Sequence, residues 1–187
     1  MAPQNTSVRG SQVSKRSNYN KIPKDYYPTI DPNAIPEKLI EFIRGRTYAE
    51  PCCGEGDLTE LLMDVAVCRW ESDVEYRGCG KVWDALCLSK NELDRCDLIV
   101  TNPPFSRDVL LPMIDHFITL KPTWLLLPAG YMNNKYFGPY MERCSKVVSI
   151  GRIKWFKDSK YTSTDDFCWY FWKQYADNDT QTVFYGR

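Results

Sequence analysis

One stretch limits this chain more than any other: Asp97-Leu98-Ile99-Val100-Thr101-Asn102-Pro103-Pro104-Phe105. The apolar run Asp97-Leu98-Ile99-Val100 reads as a buried parallel strand. Two prolines directly after it stop the strand and stiffen its end. Each fixes φ near −65° and lacks an N–H. The first also pushes Asn102 out of the helical region. The corner therefore presents a carboxamide and a backbone carbonyl together, with the Phe105 ring beside them. Two such acceptors suit an amino group on a flat ring: they take its two hydrogens while the ring is stacked upon. Donating both hydrogens draws the nitrogen toward sp³ geometry and frees its lone pair. Asn-Pro also occurs as a plain turn dipeptide, so the corner needs support from elsewhere in the chain.

That support comes from Thr47 to Asp57, where a short strand enters Cys53-Gly54-Glu55-Gly56 and a helix leaves it. Leu58, Leu61, Leu62 and Val65 recur at helical spacing. Glycines belong where the backbone turns tightly and a ligand comes close, with a helix N-terminus behind. The turn lacks the third glycine of a dinucleotide fingerprint and the Lys-Ser/Thr of a triphosphate loop. A different nucleoside-like ligand is expected. Val67 to Trp70 forms a second strand, and an acid about twenty residues past the glycine turn is placed to accept both ribose hydroxyls. Asp73 is the candidate and Glu71 the alternative. Asp84, just beyond a short strand at Val82-Trp83, is placed to accept from an adenine amino group.

Earlier in the chain, Asp31 and Pro32 predict the start of a helix whose face is Ile35, Leu39, Ile40 and Ile43 and whose end is Gly45. The preceding Tyr26-Tyr27-Pro28-Thr29 is too polar and aromatic for a core strand and reads as a lid. After the corner, Ser106 caps a helix with the apolar face Val109, Leu110, Met113, Ile114 and Phe117, beside which His116 is structural. Thr123 to Pro128 is a further buried strand. Tyr131 to Cys144 reads as a loop with a short helix. Val147 to Ile150 begins the last strands, and Arg152–Phe156 with Phe167–Trp172 predict a hairpin. Phe167 to Trp172 belongs in the core.

The 187 residues suit one domain, and a hydrophobic content of 43% allows a sizeable core. Net charge is zero, so no global nucleic-acid signature exists. Basic residues gather before the core, however: Arg9, Lys15, Arg16, Lys21 and Lys24, with no acid among the first 24 residues. Residues 1–20 read as a disordered basic arm suited to phosphates, and residues 21–187 as a single catalytic domain. No apolar stretch is long enough for a membrane span and no signal-peptide core lies near Met1, so a cytoplasmic protein without a membrane partner is expected. Eight cysteines form no CxxC pair and stand apart from the single histidine. Neither a metal site nor disulfides are expected, and most of the thiols should be reduced and buried.

Together these stretches, from about Asp25 to Trp172, resemble the amino-group methyltransferases that use S-adenosylmethionine, most closely the small phage-type N6-adenine DNA methyltransferases. The family's Asn-Pro-Pro-aromatic motif corresponds to Asn102, Pro103, Pro104 and Phe105. Its glycine motif corresponds to Glu50, Pro51, Cys52, Cys53, Gly54, Glu55 and Gly56, with Cys52 where a Phe commonly stands. The resemblance implies that Asp73 holds the ribose, that Asp84 and Ala85 meet the adenine, and that Tyr27, Pro28 and Thr29 close over the methionine end. It implies a Rossmann-like α/β fold: a mostly parallel seven-stranded sheet, helices on both faces and a C-terminal antiparallel hairpin. It further implies transfer of a methyl group to the N6 of an adenine flipped out of double-stranded DNA, without a metal or covalent nucleophile.

Only about fifty residues separate the glycine turn from the corner, and about eighty follow it. No separate target-recognition domain fits there. Site reading is therefore expected from Tyr131–Tyr140, Lys157–Asp166, the arm, a homodimer or a partner chain. Methylation of RNA adenine or of a protein glutamine amide, and non-catalytic binding of S-adenosylmethionine, remain the alternatives.

Overall fold

Leu98, Ile99 and Val100 are all buried, and their alternation divides the molecule. Leu98 and Val100 join one core cluster with Leu39, Ile43, Leu58 and Leu62. Ile99 joins the other, with Leu110, Ile114 and Phe117. A strand whose successive side chains enter two different cores must be covered on both faces. The computed structural model describes residues 26–175 and 181–187; the basic arm expected at residues 1–20 lies outside them.

The covering helices are α1 (Glu37–Ile43), α2 (Asp57–Leu62), α3 (Arg107–Leu120) and α4 (Gly138–Glu142). Residues of α1 and α2 serve one cluster, and residues of α3 the other. Between them lies a sheet of β1 (Thr47–Glu50), β2 (Val67–Asp73), β3 (Lys81–Val82), β4 (Leu98–Thr101), β5 (Thr123–Pro128), β6 (Cys144–Gly151), β7 (Phe167–Trp172) and β8 (Val183–Tyr185). Its order is β3-β2-β1-β4-β5-β7-β6-β8. Among the described residues only the pairings of β7 are antiparallel.

The strand count is eight among the described residues, one more than expected. The edges carry two short strands: β3, beside the strand expected at Val82-Trp83, whose Lys81 and Val82 are both exposed, and β8, an unexpected strand of three residues, apolar but with Val183 and Phe184 exposed. The predicted hairpin also shifts. β7 pairs with β6, Cys144–Gly151, rather than with Arg152–Phe156. Gly151, at φ 72°, turns the chain off the ladder. Ile153 and Trp155 still alternate into the core, but their segment leaves the ladder: Ile153 N–H donates to Ser163 Oγ at 3.2 Å, the Ile153 carbonyl accepts from Ser163 N–H at 2.7 Å, and Lys154 N–H donates to Asp31 Oδ2 at 2.8 Å.

β7 is core, as expected. Trp169, Tyr170 and Trp172 are fully buried, and both indole N–H groups are satisfied, by the carbonyls of Ala34 at 2.6 Å and Tyr140 at 2.8 Å. Each ring removes roughly 200 Å² from water, about 5 kcal/mol as an upper limit. His116 is structural: its Nε2 lies 2.9 Å from the Leu88 carbonyl. Four cysteines are buried, three partly so, and Cys87 is exposed. Among the described residues no helix is long and apolar enough to cross a membrane.

The first helix begins later than predicted. Asp31 caps only a 3-10 turn, Pro32–Ala34, and α1 starts after Pro36. A proline excludes the preceding residue from helical geometry, so Ile35 breaks the run. Asp31 accepts from the backbone and side-chain nitrogens of Asn33 and from Lys154 N–H. Partial burial works against ionisation, but these donors prevail and hold the carboxyl below its ordinary 3.8. A depressed acid contributes its stability above the unfolded pKa and loses it as pH falls through the folded one. Asp31→Ala is expected to cost about 2 kcal/mol at neutral pH. Chemical denaturation should show this loss shrinking below pH 3.8.

Candidate functional site

From β1 the order runs outward through β2 on one side and β4 on the other. At such a reversal the crossovers diverge and leave a crevice beyond the carboxyl ends of the strands. A cavity of about 440 Å³ lies there, lined from the ends of β1, β2 and β4 and from residues 26–29. That size falls within the range of small-molecule sites.

The expected residues gather here with few exceptions. Glu50, Pro51, Cys52 and Gly54 line the cavity from β1 onward; Asp73 lines it from β2; Asp84 and Ala85 close one side; Tyr27, Pro28 and Thr29 close another; Asn102 and Pro104 complete it. Glu71, the alternative ribose acid, does not line it. Neither do Gly56, Pro103 and Phe105.

The glycine turn is held by the acid opposite. Asp73 Oδ2 accepts from Gly54 N–H at 3.0 Å, and Oδ1 from Glu75 N–H at 3.1 Å. Gly54 has φ 56°, and a Cβ there would meet the Tyr26 ring at 2.7 Å. Gly56 serves packing, since a Cβ on it would meet Cys79 Sγ at 2.9 Å. Asp84 caps the 3-10 turn Ala85–Cys87, accepting from Leu86 N–H at 2.9 Å. Its carboxylate is thereby fixed at the cavity wall.

At the corner, Asn102 Nδ2 donates to the Tyr27 carbonyl at 2.8 Å and to Thr29 Oγ1 at 3.1 Å. The carbonyl can only accept, so the amide is unambiguously oriented. Its Oδ1 is buried and has no hydrogen-bond partner among the described residues. Phe105 stacks on Tyr27, with ring centroids 5.3 Å apart, and touches Phe167 and Trp155. The place expected for a target ring is thus held by Tyr27. The hydroxyl of Tyr131 donates to the Phe105 carbonyl at 2.7 Å and pins the corner from the far side.

The cavity's charge is one-sided. Four carboxyl groups, of Glu50, Asp57, Asp73 and Asp84, face one cation, Arg77, among the described residues lining it. Arg77 is already paired with Glu75 at 2.7 Å and lies over the Tyr26 ring at 4.3 Å. That is the reverse of a phosphate site, which needs free cations or convergent N–H groups. It suits a cationic ligand.

Some of the lining was not legible in the sequence. Arg77 and Val74 sit in an irregular stretch with no periodic signal. Val109 has the spacing of the buried face of α3, yet it is 39% exposed and lines the cavity instead. It stands in the first turn of the helix, beside the cavity, and no pattern within the helix marks that.

The sequence matches no protein-family model and no curated protein. In structure the chain is similar to a candidate RNA methyltransferase from Pyrococcus horikoshii, at 15% identity and TM-score 0.59, over 80% of this chain and 88% of that one. It is similar to the methyltransferase subunit of a type I restriction-modification system from Streptococcus thermophilus, at 11% identity and TM-score 0.54, over 86% of this chain but only 47% of that one. It is also similar to a chain of the E. cuniculi Mtq2–Trm112 complex, described as responsible for methylation of the eRF1 translation termination factor, at 16% identity and TM-score 0.53, over 80% of this chain and 98% of that one. The fold is the Rossmann-like one of class I methyltransferases.

The methyl donor that this fold implies is S-adenosylmethionine, and the residues present fit it. Its sulfonium and ammonium charges match the acidic lining, and no phosphate needs a partner. Glu50 Oε2 accepts from Thr59 Oγ1 at 2.7 Å, but burial of the whole side chain pushes its pKa up from 4.5 to about 8. An acid with a raised folded pKa costs stability as pH climbs from 4.5 to about 8. Glu50→Gln, which keeps the acceptor for Thr59, should therefore melt above the wild type past pH 8 and level with it near pH 4.5. Thermal denaturation without ligand checks the slope.

Proposed function

We propose that this chain transfers a methyl group from S-adenosylmethionine to the exocyclic N6 amino group of adenine in DNA. The observation that carries the reading is the Asn102 oxygen, a buried acceptor left unpaired while the amide nitrogen is doubly held. A buried, unsatisfied carbonyl costs about 1–3 kcal/mol. It is tolerated where a ligand supplies the missing donor.

In this reading the Asn102 oxygen and the Pro103 carbonyl take the two amine hydrogens of a flipped adenine. The nitrogen lone pair is thereby turned toward the donor cavity. Bound S-adenosylmethionine would supply an electrophilic methyl group whose carbon–sulfur electron pair would leave with sulfur, and the methylated nitrogen would release its surplus proton to solvent. Asp73 and Asp84 hold the nucleoside part. Tyr27, Pro28 and Thr29 cover the methionine part. Phe105 is the stacking platform, reached when the Tyr27 ring gives way. The chain's contribution is orientation and electrostatic pre-organisation. With no space for a recognition domain between the motifs, site reading falls to a partner chain, a second copy or the loops beside the corner.

A protein glutamine amide offers the same flat nitrogen. The E. cuniculi complex, of which one chain shares this fold over 98% of its length, is described as methylating a protein, and the second reading rests on that. Tritiated methyl transfer to DNA, RNA and protein in parallel, with mass spectrometry of the product, separates the two. N6-methyladenine in DNA is expected, and label only in protein would overturn the assignment. Asn102→Ala should lower kcat by about a hundredfold or more while calorimetric donor affinity stays within about threefold. Asp73→Ala, which also frees the Gly54 turn, should weaken donor binding itself.

A further inference from the structure

An asparagine amide is free to rotate about a broad, two-fold torsion, and only some orientations leave an acceptor for an amine. A single bond to the Tyr27 carbonyl would choose the nitrogen's side yet allow the amide plane to swing. The second acceptor removes that freedom. It is the hydroxyl of Thr29, 3.1 Å from Asn102 Nδ2 on a residue only 4% exposed.

We propose that Thr29 is a positioning residue: its hydroxyl, with the Tyr27 carbonyl, locks the Asn102 carboxamide so that Oδ1 remains the acceptor for the substrate amine. This rests on the reading of Asn102 given above. Both acceptors lie on the segment that walls the donor cavity, since Tyr27, Pro28 and Thr29 all line it. The same segment is turned at Thr29 by the Ile30 N–H to Pro28 carbonyl bond at 3.0 Å and anchored past it by Lys154 N–H, which donates to Asp31 Oδ2 at 2.8 Å. A displaced segment would release the amide, so the wall of the donor cavity and the acceptor for the amine are set together. Substrate amine is then gripped productively only when the donor side is closed.

Thr29→Val keeps the shape and removes the oxygen; Thr29→Ser keeps the oxygen. The full chain is compared in three measurements. In nitrogen-15 NMR, the Asn102 carboxamide, assigned by its loss in Asn102→Ala, should exchange with water about tenfold faster in Thr29→Val, the weight of one hydrogen bond. Thr29→Ser should restore slow exchange. With the methyl acceptor found by the tritium panel, Thr29→Val should lose about tenfold in kcat, with Thr29→Ser recovering to within about threefold. Calorimetric affinity for S-adenosylmethionine, whose cavity Thr29 also walls, should fall in Thr29→Val by clearly less than kcat does and return in Thr29→Ser. Unchanged carboxamide exchange in Thr29→Val overturns the proposal. So does a loss of kcat that only follows a loss of donor affinity, because Thr29 would then be a cavity wall alone. If the wild type methylates none of the three acceptors, the proposed activity fails, and the exchange measurement still decides the role of Thr29.

Discussion

The site depends on one pairing. β1 and β4 lie side by side through Tyr48 with Leu98 and Ala49 with Ile99. Parallel pairing brings both carboxyl ends to the same edge, so the Glu50–Gly54 turn and the Asn102–Phe105 corner become neighbours although they are far apart in the chain. The crossovers from these strands diverge, and the space between them is the cavity. Were the pairing antiparallel, the two turns would sit at opposite ends of the sheet. The core clusters on either face keep the register, because a slip of one residue would exchange Ile99 with Leu98 and Val100 between two differently shaped layers.

Electrostatics then separates this site from others of similar topology. Crevices of this kind often receive phosphate, which requires positive charge. Here the lining is acidic, and Arg77, the one arginine among the described lining residues, is already paired with Glu75. Burial leaves Glu50 reluctant to ionise without a ligand, with its pKa near 8, so an arriving cation would supply the partner that makes ionisation favourable. Fold and charge lead to the same class of ligand by independent routes.

The motifs were readable because each carries its own local chemistry. Pro103 and Pro104 fix a backbone whatever surrounds them. Gly54 sits where a left-handed turn meets an aromatic ring, and Asp84 caps the turn that follows it. Errors came where local chemistry was ambiguous. Arg152–Phe156 alternates as a strand does, yet Gly151 had already turned the chain off the ladder. Asp31-Pro32 looks like a helix start, yet Pro36 defers it. Val109 carries a core spacing, yet its place at the tip of α3 puts it in the cavity wall.

From sequence alone came the α/β class, the order of the motifs, the strand-end corner and the acid past the glycine turn. These are short-range matters of dihedral preference and side-chain period. Only the tertiary structure decided that Asp73 rather than Glu71 lines the cavity, that Thr29 and the Tyr27 carbonyl hold the Asn102 amide, and that Phe105 is covered by Tyr27. Each of these joins residues distant in the chain, and their proximity follows from how the sheet is ordered and its layers packed, which no local pattern encodes.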